Sequence, residues 1–371
     1  MDFRLSDDQR MLAESLGRFL KDNYPIEKRH EIAKSPKRFS RELWQRFCDL
    51  GVVGALFDPE DGGYGGTGAD LSVVFEALGR HLVVEPFLPS LLTGTVLARH
   101  GDEKQKELIG DVVSGKALLA FAHQEPDSRY EVAQVSTTAT KAANGWRLSG
   151  HKSVVLGAAA ADRIIVSART SGKIADEKGI SLFVVDSGTP GVSIRDYGTV
   201  DGYSACEVSL EGAEGRLLGK EGTAFAVIEE AIARANVALC AEALGAMERA
   251  KDLTIEYMHT RKQFGVPIGK FQVLQHRMAD VLIELEQMRS AVINAAAHLD
   301  AERNVRERHV SAAKHLAGRI GRQVAEEAIQ IHGGMGMTWE YPVGHFAKRI
   351  VMIDHWFGDT DHHLERFIAL S

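Results

Sequence analysis

The stretch Tyr257–Asp280, YMHTRKQFGVPIGKFQVLQHRMAD, decides how the rest of the chain is read. It has the form of a helix end, a tight loop and a helix start. The first helix stops near Arg261–Phe264, because Gly265, Pro267 and Gly269 follow and break it. A second helix begins near Phe271, where Phe271, Leu274, Met278, Val281 and Leu285 recur at the 3.6-residue period of one apolar face. The junction collects a guanidinium, an aromatic ring and an amide in Arg261, Phe264 and Gln272. Such a set is able to hold a phosphate and flank a flat ring. The same spacing also fits a capped helix hairpin with a solvated arginine.

Upstream of this stretch, AFAVIEEAIARANVALCAEALGAMERAKDLTIEYMHT is long, Ala-rich and mostly apolar, as a helix enclosed in a bundle must be. Before it, from about 121 to 220, the texture changes. GWRLSGHKSVVL, DRIIVSART, ISLFVVD and ACEVSLEGAE are β-branched runs separated by Gly, Asn, Asp and Pro clusters. No helical pattern intervenes to make a parallel sheet, so a small antiparallel barrel or sandwich is expected. Residues 1 to about 120 read as helices. Ser6, Asp7, Asp8 and Gln9 form an N-cap with an acidic first turn and a capping-box glutamine, ahead of an apolar face of Met11, Leu12, Leu16, Phe19 and Leu20. Ser40 opens a second such helix, RELWQRFCDLG, which Gly51 stops. The order is therefore helical, β, helical. We expect an α+β chain with an N-terminal helical domain at 1–120, a middle β domain at 121–220 and a C-terminal helical bundle at 221–371.

Within Asp61–Asp70, DGGYGGTGAD, Gly63, Gly65 and Gly68 have the spacing G-x-G-x-x-G. A dinucleotide fingerprint of that form follows a strand. Here PED precedes it and helical patterns flank it, so a flexible surface loop is expected.

With 371 residues, 44% of them hydrophobic, the chain buries a large core. A net charge of -7 argues against a nucleic-acid surface, which needs clustered positive charge. The three cysteines, Cys48, Cys206 and Cys240, are odd in number and far apart, which suits reduced thiols and not a disulfide frame. Asp2, Asp7 and Asp8 at the start, with no long apolar run after them, do not read as a signal peptide. No run reaches the length of a membrane span. Cytoplasm is the expected location. His332, His345, His355, His362 and His363 have no convincing metal-ligand spacing, so packed or exposed histidines are expected.

RKQFGVPIGKFQVLQHRMAD resembles the acyl-CoA dehydrogenase signature, an R-x-x-F-G loop followed by F-Q-x-x-x-H-x-x-A-D. Gln330–Pro342, QIHGGMGMTWEYP, is similar to the family's second signature. The likeness runs from MDFRLSDDQRMLAESLGRFL to the last helix. CAEA-x-GAME, TRKQFGVPIG and FGD-x-DHHL resemble the small-subunit type found in pimeloyl-CoA dehydrogenases. The resemblance implies FAD as cofactor, an acyl-CoA as substrate and an electron-transfer flavoprotein as acceptor. It also implies that Arg261, Phe264, Gln272, Gln330, Gly333 and Gly334 contact the FAD.

The family oxidises the Cα–Cβ bond of an acyl-CoA, with a glutamate taking the α proton. Here the sequence departs from the pattern. The place before the usual Gly-Thr pair holds Phe357, and Gly358-Asp359 replaces the pair. The alternative place, on the long helix, holds Ala235. Asp359 is the nearest substitute, and Glu242 lies about two helical turns from Ala235. The usual T-E-P-x-x-G-S-D segment reads Gln124-Glu125-Pro126-Asp127-Ser128-Arg129, and the usual aromatic-x-Thr-Asn reads Val154-Val155-Leu156-Gly157. These departures imply a small subunit whose homologous larger partner carries the glutamate. Two alternatives stand beside it: a self-sufficient homo-oligomer that uses Asp359, and a scaffold subunit without flavin.

Overall fold

The computed structural model describes residues 5–143 and 145–371. Its helices are α1 (Asp7–Asn23), α2 (Ile26–Ala33), α3 (Arg41–Asp49), α4 (Gly68–His81), α5 (Phe87–His100), α6 (Glu103–Val113), α7 (Phe225–Thr260), α8 (Gln272–Ala297), α9 (Arg303–His332), α10 (Val343–His355) and α11 (Thr360–Ala369). Between α6 and α7 lie β1 (Leu119–Ala122), β2 (Thr138–Ala142), β3 (Gly145–Leu156), β4 (Arg163–Arg169), β5 (Ile180–Asp186), β6 (Val192–Gly198) and β7 (Ser204–Leu218). The order is helical, β, helical, as the sequence pattern predicts. Packing cuts across those segments. One compact unit comprises the residues up to His30, Thr67–Val83 and Asn236–Ser371; the other comprises Glu31–Gly66 and Val84–Ala235.

In the first unit α8, α10 and α11 pack on α9, and α1 and α8 pack on α4. The four rods are α7, α8, α9 and a broken fourth, α10 and α11, interrupted at Trp356–Asp359. Local chemistry sets the ends. The Ser6 hydroxyl accepts from the Gln9 amide and the Gln9 side chain returns to the Ser6 amide, which is the expected capping box. Thr67 and Asp70 make a second one on α4, and Gln9 Nε2 donates to Asp70 Oδ1 at 2.9 Å, tying the two helix starts together. Where α4 meets α7 the backbones nearly touch. A Cβ on Gly79 would lie 2.0 Å from Glu242 O, and one on Gly245 would lie 2.0 Å from Glu76 O. Only glycine at both positions permits that crossing.

In the second unit the strands close on themselves. β4 pairs with β2, β2 with β3, β3 with β7, β7 with β5, and β5 with β4, with β1 added on β4 and β6 on β7. Trp146, Leu148, Val155, Ile164, Val166, Phe183, Val208 and Leu210 fill the interior. The sheet departs from the antiparallel expectation at two pairs. β2 meets β4 in parallel, with Thr138 opposite Arg169. β1 runs parallel to β4, from Leu119 opposite Arg163 to Ala122 opposite Val166. The β2–β3 hairpin lies between them in sequence and provides the crossover that a helix provides in α/β folds.

The glycine-rich run follows no strand and carries no dinucleotide-binding unit. It is not a flexible loop either. The amides of Gly63, Tyr64, Gly65 and Gly66 donate to the backbone oxygens of Asp58, Gly54, Phe57 and Ala55, at 3.0 to 3.1 Å. Cys48, Cys206 and Cys240 are all free and buried.

Candidate functional site

After α7 the chain turns through a minimal hairpin, β8 (Lys262–Gln263) against β9 (Val266–Pro267). Its two central residues, Phe264 and Gly265, both have positive φ, +52° and +85°. A two-residue hairpin loop needs this geometry, and Asn-Gly or Gly-Gly usually supplies it. Phenylalanine in that conformation costs about 1–2 kcal/mol. The ring recovers little of it by burial, since it is 91% exposed and touches Phe271 edge-on at 6.1 Å. Strained backbone of this kind clusters at sites that meet ligands or partners. Arg261, beside it, is exposed and has no carboxylate partner among the described residues. Gln272 is the first residue of α8 and is also exposed; Phe271 offers no side-chain cap, so the Gln272 and Val273 amides stay open, while Leu274 N donates to Phe271 O at 3.0 Å.

The second signature lies at the same end of the bundle. His332 closes α9 and stacks on Tyr257 with ring centres 4.5 Å apart. Its Nδ1 lies 2.7 Å from Ala328 O and its Nε2 lies 3.2 Å from the Tyr341 hydroxyl. Burial holds the imidazole below its ordinary pKa. This stack fixes the end of α7, four residues before Arg261, against the turn that follows α9. In that turn Gly333 has φ 59° and ψ −138°, a conformation open to glycine alone. A Cβ on Gly333 or on Gly334 would meet nothing within 4 Å, and Gln330 beside them is exposed. The end of the bundle therefore presents a cation, a ring, two amides and a bare glycine backbone.

The β unit turns its corresponding side chains inward. Lys152, fully buried, donates to Glu125 Oε1 at 2.7 Å, to the Ser167 hydroxyl at 3.0 Å and to His123 O at 3.1 Å. Glu125 also accepts from the amides of Ser136 and Thr137. Burial alone would raise the Glu125 pKa; the Lys152 charge and these hydrogen bonds outweigh it and hold it at about 2. Burial, with the Lys152 charge second, pushes His123 down to about 3. The strand then bulges between Lys152 and Val155, leaving Val154 at φ 53°, an outlier for a β-branched residue. Leu156 and Gly157 follow, and Gly157 N donates to Ser204 O at 3.2 Å.

The break in the fourth rod is held from both sides. Lys314 on α9 is fully buried and donates to Gly358 O at 2.6 Å and to Asp354 O at 2.9 Å. His363 Nε2 lies 3.1 Å from Phe357 O. Phe357 and Gly358 have φ of 56° and 117°. Asp359 is the N-cap of α11, its Oδ1 accepting from the His362 amide at 2.9 Å. Elsewhere in this unit, Glu242 is bound by Arg349 through two hydrogen bonds, Nε to Oε1 at 2.6 Å and NH2 to Oε2 at 2.7 Å.

Three family models match the chain in order: the acyl-CoA dehydrogenase N-terminal domain at 6–116, middle domain at 120–213 and C-terminal domain at 222–369. Mitochondrial isovaleryl-CoA dehydrogenase of Pongo abelii is 31% identical over 93% of this chain and 84% of its own. The chain belongs to the acyl-CoA dehydrogenase family. Among the solved structures it is similar to are two whose names pair two proteins. The Tcur3481–Tcur3483 steroid dehydrogenase has a TM-score of 0.89 at 29% identity, covering 98% of this chain and 97% of its own. The ChsE4–ChsE5 complex of Mycobacterium tuberculosis has a TM-score of 0.88 at 29% identity, covering 100% and 98%. Acyl-CoA dehydrogenases are FAD-dependent oxidoreductases, and FAD is the cofactor here.

The end of the bundle fits such a cofactor: the glycine backbone leaves room, and Arg261 has a charge to give. The β unit fits it less well, because Leu156 has no hydroxyl and Glu125 is committed to Lys152. At the two positions where the resemblance looks for the base stand Phe357, half-buried, and Ala235, fully buried. Sequence reasoning missed Lys152, Lys314 and the Tyr257–His332 stack. Lys152 shares the inward register of Trp146 and Leu148, and Lys314 falls on the buried α9 stripe of Val310, Ala317, Gly321 and Val324, so both signals were present. His332, His345 and His363 hydrogen-bond within the chain and His362 lies edge-on to His363, while His355 is exposed. Among the described residues, no group of three or more His, Cys, Asp or Glu side chains could hold a metal ion, and no helix is long and apolar enough to cross a membrane.

Proposed function

We propose that this chain works in the cytoplasm as the smaller subunit of a hetero-oligomeric acyl-CoA dehydrogenase, its homologous larger partner supplying the catalytic glutamate. The observation that carries the reading is the fate of the carboxylates. Neither base position holds one, Asp359 caps α11, and Glu242 is neutralised by Arg349. Meanwhile Arg261, Phe264, Gln272, Gln330, Gly333 and Gly334 stand exposed, as a half-site awaiting a second chain would. Arg261 would bind the FAD pyrophosphate with its fork of donors, Phe264 would flank the adenosine, and the Gly333–Gly334 backbone would approach closely. When bound, FAD supplies the hydride acceptor. The two-part names of the steroid dehydrogenase and of ChsE4–ChsE5 support a paired assembly. A bulky acyl-CoA is the proposed substrate, a dicarboxylyl-CoA by resemblance to the pimeloyl small-subunit type. An electron-transfer flavoprotein is the proposed acceptor, and 1–120, 121–220 and 221–371 are taken as the three structural segments.

Flavin stoichiometry tests this. One FAD per pair of chains is expected in the assembled complex, and little turnover by this chain alone. Arg261→Ala should weaken flavin retention by about tenfold to a hundredfold, the worth of one charge-assisted hydrogen bond. Two FAD per pair, or stoichiometric flavin with full turnover in this chain's homo-oligomer, would favour the self-sufficient reading with Asp359 as base. A complex that assembles and turns over without flavin in either chain would overturn both.

A further inference from the structure

A second cleft of the bundle-containing unit has a chemical character of its own. It measures about 510 Å³ and lies where α1, the first turn of α2, the end of α4, the middle of α7 and the start of α10 meet. That volume is in the range of small-molecule sites. Lys21, Arg80, His81 and Arg249 line it, against apolar surface from Tyr24 and Phe346. Arg80 donates to Asp252 at 2.7 Å. Lys21 and Arg249 have no carboxylate partner among the described residues, and Arg249 is half-buried. Glu27, the carboxylate of the lining, is exposed and pairs with neither. His81 reports the resulting field: burial, then the charges of Arg80 and Arg249, hold it down at about 4, with no carboxylate acting the other way.

Gly17 adds an independent sign. It sits inside α1, where glycine is less favourable than alanine. No turn or close contact requires it, because a Cβ there would meet nothing within 4 Å. Gly17 lines the cleft, so a longer side chain at this position would enter it.

We propose that this cleft binds a small organic anion, a carboxylate or phosphate group carried on an apolar body. Lys21 and Arg249 would meet the charged head, neutral His81 would add a hydrogen bond, and the rings of Tyr24 and Phe346 would cover the body. The lining contains none of Arg261, Phe264, Gln272, Gln330, Gly333 and Gly334, and the proposal does not depend on the subunit reading.

Calorimetry on the full chain tests it, with phenyl phosphate, benzoate and inorganic phosphate as probes. Saturable binding at one site is expected for phenyl phosphate or benzoate, about tenfold or more tighter than for inorganic phosphate. Whichever organic probe binds tighter identifies the head group. Arg249→Gln should weaken binding by about tenfold or more. Gly17→Leu should abolish it while melting no lower than wild type, since the new side chain enters open space and favours the helix. Absence of saturable binding would overturn the proposal. So would binding that survives both variants, or inorganic phosphate binding as tightly as the organic probes.

Discussion

Arg349→Met should be among the most damaging single changes in this protein. Arg349 and Glu242 have side chains that are 0% and 4% exposed, and they meet through two short parallel hydrogen bonds. The guanidinium also lies over the Trp356 ring, 4.3 Å from its centre. Removing Arg349 takes from the buried Glu242 carboxylate the guanidinium bound to both its oxygens, which costs about 3–5 kcal/mol. Loss of the contact with Trp356 adds about 0.5–2 kcal/mol. Replacing both partners by apolar residues, as in Glu242→Leu with Arg349→Met, removes the stranded charge and should return stability to within about 1–2 kcal/mol of wild type. Urea unfolding followed by tryptophan fluorescence reads this directly, because Trp356 borders the pair. A single variant costing less than about 1 kcal/mol would refute the argument, as would a double variant no better than Arg349→Met. The cycle also separates two roles for Glu242. If it is structural, the stable double variant assembles with the partner chain and keeps turnover; a general base does not survive its own deletion.

Asp359→Ala should lose an N-cap and destabilise α11 by about 1 kcal/mol, seen as faster hydrogen exchange at the amides of the first turn, while turnover of the assembled complex changes less than about threefold. A hundredfold fall would make Asp359 the base. Burial lowers Lys314 to about 8, below the roughly 10.4 of an unfolded lysine. Between those values the unfolded chain binds a proton that the folded chain has released, so stability rises with pH across that window, and the cost of burying the charge is fully present below it. Measured against Lys314→Met, wild type should therefore gain up to about 1.4 kcal/mol per pH unit from pH 8 to 10; a flat difference would contradict the buried ammonium. Gly245→Ala drives a methyl into the α4 backbone and should cost about 3 kcal/mol or more; an unchanged urea midpoint would show that the helices are not in that contact.

Much of the fold was legible because it is written in local patterns. Ser6 with Gln9 and Ser40 before its helix are caps that act within one turn, so spacing alone reveals them. The apolar repeat of Met278, Val281 and Leu285 marks the buried side of α8. The parallel pairings of β1 and β2 with β4 were not legible, because they depend on which strands meet in the sheet and not on the pattern of any one. The candidate site divides in the same way. Arg261 and Gly333 stand in recognisable motifs, but the stack of Tyr257 on His332 that fixes their segments joins residues far apart in sequence. Glu242 and Asp359 looked available because carboxylates in sequence carry no sign of their partners. Arg349 and the His362 amide, which occupy them, appear only in three dimensions.

The pairing of α4 with α8 has a consequence for how the protein is made. Residues 67–83 belong to a unit that is otherwise built from the chain's opening and its last third. On a ribosome adding about 5–20 residues per second, roughly 10–40 seconds separate the emergence of α4 from that of α8. Through that interval α4, with Leu71, Val74, Phe75 and Leu78 buried in the finished fold, has α1 to lie against but lacks α8. The segment at 84–235, by contrast, is continuous and able to begin folding as it emerges. Nascent chains should therefore carry a greasy helix for many seconds beside a forming barrel. Trigger-type chaperones would find their target there, and slowing translation between α7 and α8 should lower the soluble yield.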